Sequence, residues 1–413
     1  MEEHKVYGYR WVVLIVYMFI TILTQLFWLN FVAVETFVEE HLGVTAMQVG
    51  WLALVYPLAH IIISIPSGML IDRKGIRTSI GIGALLVGFF GLFRLLNPDS
   101  YTIILLSQIG IGAGTPFILN GITKVAITWF PVEEEATAVS LGTVALFLGM
   151  FVGLGITPML LDSYGYHTMI QIFSVLGVLG TVIFFIFVKD KPPTPSRTTE
   201  VDTQIGDLKQ WKSLGNILRI RDFVILSIVF LLGTGIFNGI ATWFEKILSE
   251  MHGIGLADVG YVSGLLIIGA IIGCIVIPVI SDKVMKRKPF CLLAVGGGGL
   301  GIAWLLFPAG LTMSMVNSFV LGFFLVSALP ILMTLAVEYT GEEHAGISLA
   351  WLWMVGNLFA LIVVPSMEFL RSETGKFIWP ILLIVILITI GFILAFALRE
   401  PELKVSPSAK DAR

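Results

Sequence analysis

The sequence predicts an all-α membrane protein with twelve transmembrane helices in two six-helix bundles. Three observations lead there. The 413 residues are 57% hydrophobic and 13% charged, whereas a soluble domain is nearer a quarter charged. Twelve apolar runs approach or exceed the roughly 20 residues that cross a bilayer as a helix. A charged turn after the second run returns in degenerate form about 210 residues later, after the eighth, and one motif at half-chain spacing implies two parallel halves.

The runs fall at 10–34, 49–71, 78–96, 101–128, 137–160, 167–188, 222–246, 258–280, 289–308, 313–337, 345–366 and 377–398. The polar start Met1-Glu2-Glu3-His4-Lys5 leads into a run too long for the core of a cleaved signal, with no small-residue cleavage site, so 10–34 reads as the first span. Turn signals at Asn97-Pro98-Asp99, Asp162-Ser163-Tyr164-Gly165, Pro308-Ala309-Gly310 and Gly341-Glu342-Glu343-His344 part neighbouring runs. Residues 189–221 form the one long polar segment, opening Lys189-Asp190-Lys191-Pro192-Pro193. It divides the chain into a first bundle at 1–188, a cytoplasmic linker, a second bundle at 222–400 and a tail at 401–413. Within the linker Leu208, Trp211, Leu214 and Leu218 share one helical face, flanked by Lys209, Lys212, Arg219 and Arg221, the pattern of an amphipathic helix on the inner leaflet. The two cysteines, Cys274 and Cys291, lie in or beside apolar runs and have neither metal-ligand spacing nor a disulfide framework.

Orientation follows from the basic residues. With the N-terminus inside, only Arg94, Lys246, Arg371 and Lys376 of the 25 lysines and arginines fall at outer ends. That bias places both termini in the cytoplasm of a multi-pass cell-membrane protein.

The turn between the second and third runs is Gly68-Met69-Leu70-Ile71-Asp72-Arg73-Lys74-Gly75-Ile76-Arg77; its second copy is Ser281-Asp282-Lys283, continuing to Lys286-Arg287-Lys288. The spacing of Gly, Asp, Arg, Gly and Arg resembles the signature loop of the major facilitator superfamily of transporters. The resemblance implies the major facilitator fold and a cytoplasmic latch of Gly68, Asp72, Arg73, Gly75 and Arg77, with Asp282 in the second copy. A physical reading runs alongside. The eleventh run starts on the same side, near Gly346-Ile347-Ser348, where the first N–H groups of a helix lack partners and carry partial positive charge. A carboxylate placed there latches the halves, and Gly68 one turn earlier permits close helix approach.

Polar residues deep in the runs are the candidates for a solute site, since polar side chains in lipid face protein or water. By depth these are Gln25, Trp28 and Asn30 in the first run, Asn238 in the equivalent seventh, Tyr56 and His60 in the second, Thr115 and Asn120 in the fourth, Ser327 in the tenth and Asn357 in the eleventh. Interhelical hydrogen bonding is the plain alternative for each. Substrate contact is expected of Gln25, Trp28, Asn30 and Asn238 first, with Thr115, Asn120 and Asn357 behind them. No Asp, Glu, Lys or Arg falls near mid-bilayer; Lys124 and Glu338 fall near the inner surface, within snorkelling reach. An anionic substrate therefore lacks a buried cation and a proton lacks a buried carboxylate. His60 is the one mid-membrane group that titrates near neutrality and so the one candidate for proton coupling. Trp28 offers an aromatic face to a quaternary ammonium.

Two stretches carry a narrower resemblance. Gln25-Leu26-Phe27-Trp28-Leu29-Asn30-Phe31, and Thr115-Pro116-Phe117 through Asn120, Lys124 and Trp129-Phe130-Pro131 to Glu135-Ala136, are similar to the transporters related to the feline leukaemia virus subgroup C receptor, known for choline, ethanolamine and proposed haem transport. Trp28 matches that family's cation-binding tryptophan; the family's Gln before Pro-Phe is Thr115 here. The drug/proton antiporter pattern is broken, with Leu105 where that subgroup carries Arg three residues before Gln108. The expectation is a secondary transporter, not an enzyme. It moves a neutral, zwitterionic or cationic organic solute, choline-like in the narrower reading, by alternating access. A monocarboxylate or drug/proton transporter of the same fold, and a solute sensor that does not transport, are the alternatives. No cofactor, metal or nucleic acid is expected; the partners are the solute and the lipid bilayer, and the chain is expected to act as a monomer.

Overall fold

The computed structural model describes residues 7–194, 213–254, 256–307, 310–374 and 377–401. The linker positions Leu208, Lys209, Trp211 and Lys212 and the tail beyond 401 lie outside them. The helices are α1 (Tyr9–Leu29), α2 (Glu35–Leu42), α3 (Ala46–Phe93), α4 (Tyr101–Leu119), α5 (Ile122–Trp129), α6 (Glu135–Phe187), α7 (Arg221–His252), α8 (Leu256–Val284), α9 (Lys288–Trp304), α10 (Leu311–Thr340), α11 (Ala345–Thr374) and α12 (Ile378–Phe396). No strand occurs among the described residues.

Nine helical segments among the described residues are long and apolar enough to cross a membrane. Two of these are pairs of spans run together: Gly75 (φ 81°, ψ 179°) interrupts α3 and Gly165 (φ 77°, ψ 169°) interrupts α6. With each of those pairs taken as two and the shorter apolar helix α9 added, the described residues hold twelve apolar helical stretches. Span four differs from its expected form. The run at 101–128 is broken at Asn120-Gly121 into α4 and α5, where the N–H of Gly121 bonds the carbonyl three residues back, Ile118 O, at 3.0 Å.

Local chemistry sets the ends. Thr45 and Gln48 form a reciprocal capping box at the start of α3, with N–H to side-chain oxygen distances of 3.4 and 2.9 Å, an arrangement that stabilises a helix start by about 1 kcal/mol. At Gly75 the positive φ excludes most side chains, and Asp190 Oδ1 lies 2.7 Å from where a Cβ would sit. Within the spans, hydroxyls such as those of Thr143, Ser174, Ser227 and Thr334 donate to the carbonyl four residues back, which keeps them satisfied where no water reaches.

Packing divides the chain into two compact units. One comprises Met1–Val132, Val144–Trp211 and Glu342–Met354; the other comprises Glu133–Thr143, Lys212–Gly341 and Val355–Arg413. Each unit is therefore one half of the chain plus one short helical segment from the other half. The first turns of α11 belong with the first unit, and those of α6 with the second.

Candidate functional site

In the first unit an aromatic pair stands where α1 meets α3. Pro57 lies inside α3 and has no N–H, so the carbonyl of Ala53, four residues earlier, loses its helical partner. The indole Nε1 of Trp28 donates to that carbonyl at 3.1 Å. The bond fixes the ring of a half-buried Trp28 beside Tyr56, with centroids 6.3 Å apart and planes 33° from parallel. Tyr56 is itself buried, and its hydroxyl donates to Gln108 Oε1 at 3.3 Å.

The other expected solute contacts divide into satisfied and unsatisfied groups. Thr115 donates to Ile111 O within its own helix, and Asn120 Nδ2 binds Ser64 O, Ser64 Oγ and Ser67 Oγ at 2.8–3.1 Å, tying α4 to α3. Both are buried; Asn120 joins two helices, and Thr115 is satisfied within its own. Gln25 is buried against α6, where a Cβ on Gly149 would come within 2.7 Å of its own Cβ, and its Nε2 reaches Thr24 Oγ1 at 3.4 Å. Asn30, at the C-terminal end of α1, is fully buried with neither amide atom hydrogen-bonded. His60 is buried with its Nε2 unpartnered and its ring 6.2 Å from that of Trp353. In the second unit, Asn238 and Asn357 are half-buried, and Asn238 Nδ2 donates to Thr234 O one turn back at 2.8 Å.

A second cluster, also within the first unit, is built on the signature loop. Asp72 Oδ1 accepts from the N–H of Gly346 at 3.0 Å and Oδ2 from that of Ile347 at 2.9 Å. These are orphan donors at the start of α11, so Asp72 caps a helix far away in sequence. Lys124 Nζ stands 3.3 Å from the same carboxylate and 3.4 Å from the Glu342 carbonyl. Gly68 makes the approach possible: a Cβ there would lie 2.5 Å from Ala350 Cβ and 2.6 Å from the Gly346 carbonyl oxygen. Arg77 turns elsewhere. Its N–H donates to Asp190 Oδ1 and its guanidinium to Phe185 O, because it starts the next helix beyond the Gly75 turn. Lys124 is a cation paired with Asp72 where the resemblance implied Arg77.

The second unit repeats the arrangement. Asp282 Oδ2 accepts from the N–H and hydroxyl of Thr137, at 2.8 and 2.7 Å, near the start of α6, while Oδ1 takes Arg287. Arg287 is fully buried and also binds Glu338 Oε1 at 2.9 Å. Glu400 accepts from the N–H groups of Arg287 and Lys288, and Lys288 Nζ reaches Phe396 O at 2.8 Å. That pattern matches Asp190, Arg77 and Phe185 in the first unit.

Three residues sit more deeply than their positions in the sequence suggest. Lys124 falls within snorkelling reach of the surface by depth, yet it is 5% exposed and paired. Arg94 sits by depth at an outer end, yet its side chain is fully buried, with the guanidinium 4.7 Å from the Phe27 ring centre and 5.5 Å from that of Phe31. Gln108, noted only for the antiporter pattern, is fully buried at the meeting of α1, α3 and α4. For Arg94 and Gln108 the available signal was charge or amide within reach of an apolar run, which does not distinguish a buried group from a surface one.

Comparison with known proteins completes the picture. The family model described as Major Facilitator Superfamily matches residues 12–365. An uncharacterized MFS-type transporter of Caenorhabditis elegans is 27% identical over 413 residues, covering 96% of this chain and 70% of the relative. The choline/ethanolamine transporter flvcr2a of Danio rerio is 25% identical, covering 96% and 88%, and human choline/ethanolamine transporter FLVCR2 is 24% identical, covering 88% and 72%. Among solved structures, the Escherichia coli fucose:proton symporter FucP superposes with a TM-score of 0.78 at 14% identity, covering 95% of this chain and all of that one. The human organic anion transporter MFSD10 gives 0.75 at 13%, covering 94% and 99%. The chain belongs to the Major Facilitator Superfamily.

Proposed function

We propose that this transporter carries a small solute with a quaternary or primary ammonium head, of the choline–ethanolamine class, across the cell membrane, with Trp28 as its aromatic anchor. The observation that carries the reading is the fixed, half-buried indole. Its N–H is occupied by Ala53 O, so the ring offers its face rather than a hydrogen bond, and an aromatic face attracts a cation by its quadrupole. The choline/ethanolamine transporters among the relatives support it. Gln25, Asn30, Asn238 and Asn357 supply hydrogen-bonding groups, of which Asn30 has both amide atoms free. Asp72, with Lys124 and the first N–H groups of α11, forms the cytoplasmic latch, and Asp282 does the same service at α6. The two bundles, 1–188 and 222–400, act as a monomer with both termini in the cytoplasm.

Choline binding to the purified protein tests the substrate. Trp28→Ala should weaken it about tenfold and Trp28→Phe by less, since a cation over an aromatic face is worth about 0.5–2 kcal/mol. Stabilisation by monocarboxylates alone, with no response to quaternary amines, overturns the substrate class. Counterflow in vesicles separates a carrier from a sensor, because only a carrier accelerates exchange.

A further inference from the structure

We propose that Gln108 is the positioning residue that holds the Trp28–Tyr56 wall in register, and that Arg94 fixes which way its amide faces. The inference deepens the reading of Trp28 given above and names residues that do not touch solute. Gln108 Nε2 donates to Phe27 O at 3.0 Å and Leu52 O at 3.2 Å; Oε1 accepts from Tyr56 Oη at 3.3 Å and Arg94 Nη2 at 3.1 Å. An amide side chain has two donor hydrogens and two acceptor lone pairs, so its whole capacity is used inside the protein. The orientation is chemically determined. Turned over, the amide would set its oxygen against two carbonyls and its NH2 against a guanidinium.

The two carbonyls it grips are significant by position. Phe27 immediately precedes Trp28, and Leu52 immediately precedes Ala53. Gln108 therefore clamps the backbones of α1 and α3 one residue before each partner of the Trp28–Ala53 bond, and the same amide holds the Tyr56 hydroxyl. Phe27 also lies in the last turn of α1, where carbonyls run out of helical donors, so the clamp fills a gap that the helix end leaves. On the far side Arg94 is fully buried, stacked over Phe27 and Phe31, with Nε and Nη1 unpartnered. Its hydrogen bond to Gln108 Oε1 gives a desolvated guanidinium one charge-assisted acceptor, and it enforces the amide orientation that the aromatic wall needs.

Two variants and two measurements test this. Gln108→Glu keeps an acceptor for Arg94 and Tyr56 but removes both donors to the backbone. Tyr56→Phe removes one hydroxyl and keeps the ring. The first measurement is hydrogen exchange of the segments around 26–31 and 50–57, which reads the clamp whatever the solute. Gln108→Glu should speed exchange there by about tenfold with the rest of the chain unchanged; unchanged exchange overturns the proposal. The second compares binding of choline with its uncharged isostere, 3,3-dimethyl-1-butanol. Both variants should lose about fivefold of the wild-type preference for the cation while affinity for the isostere falls by less, since the two ligands share the apolar contact and the charge–quadrupole attraction is the cation's alone. An equal loss for both ligands marks a merely structural role and also overturns the proposal. A wild-type protein with no preference for the cation refutes the substrate reading, and the exchange measurement then decides on Gln108 alone.

Discussion

Asp72 caps a helix to which it does not belong, and the chemistry of that bond makes it irreplaceable by its closest isostere. A carboxylate offers one oxygen to Gly346 N–H and the other to Ile347 N–H. An asparagine offers one oxygen and points an NH2 at the second donor. It also leaves Lys124, 5% exposed, beside a backbone carbonyl and no charge. Hydrogen bonds to charged groups are worth about 1.5–3 kcal/mol, so Asp72→Asn should slow transport in reconstituted vesicles by about tenfold or more while the protein still purifies as a folded helical species. Adding Lys124→Met removes the stranded ammonium. The double variant should regain melting temperature but not rate, and a full recovery of rate would mean that the cap is dispensable. The sequence marked this site well, because Gly68, Asp72 and Gly75 answer to rules of backbone approach and turn geometry that are local. It marked Lys124 poorly, because whether a long cation snorkels or pairs depends on which helix lies opposite.

At the scale of the element, α3 shows how one missing N–H is used. Pro57 frees the Ala53 carbonyl, and Trp28 occupies it. Pro57→Ala restores a backbone donor that competes for that oxygen. The helix should be no less stable, yet choline affinity should fall by about threefold as the indole loosens; unchanged affinity in a calorimetric titration would count against the pinned ring. The free carbonyl was readable from the proline, but its occupant was not, and neither was the clamp on the other side, since nothing local says that Trp28 meets Ala53 or that Gln108 meets Arg94. A different set of elements is joined by Asp99, in the turn before α4. Its carboxylate meets His41 Nε2 of α2 at 2.8 Å and His167 Nε2 of α6 at 3.1 Å. Hydrogen bonding from His41, then from His167, holds its pKa below the ordinary carboxylate range. A group with a depressed folded pKa contributes stability above its unfolded value and loses it as pH falls through the folded one. Wild type should therefore melt higher than Asp99→Asn at pH about 5 to 6, with the difference closing as pH falls below about 4. A difference that does not narrow at all as the pH falls below about 4 would show that charge at Asp99 is not its source.

Across the whole molecule the same device occurs twice, about 210 residues apart. Asp72 caps the start of α11 in one unit and Asp282 caps the start of α6 in the other. Behind each, a carboxylate after the last span of its half, Asp190 or Glu400, binds the N–H groups that open the following helix. The copies differ in what surrounds the carboxylate. Arg287 keeps Glu338 if Asp282 is lost, whereas among the described residues Lys124 keeps the Glu342 carbonyl alone if Asp72 is lost. The second copy was faint in the sequence because its basic partner has moved into its own loop, at Arg287, from the fourth span, where the first copy has Lys124. If alternating access requires both caps to release, each carboxylate stabilises the same closed state. The two sites have no partner in common, and effects of independent sites add to within about 0.5 kcal/mol. Asp282→Asn should then slow counterflow less than Asp72→Asn, and the double variant should be slower than either by close to the product of the two factors. A double variant no slower than Asp72→Asn alone would mean that one cap gates the cycle and the other only braces its bundle.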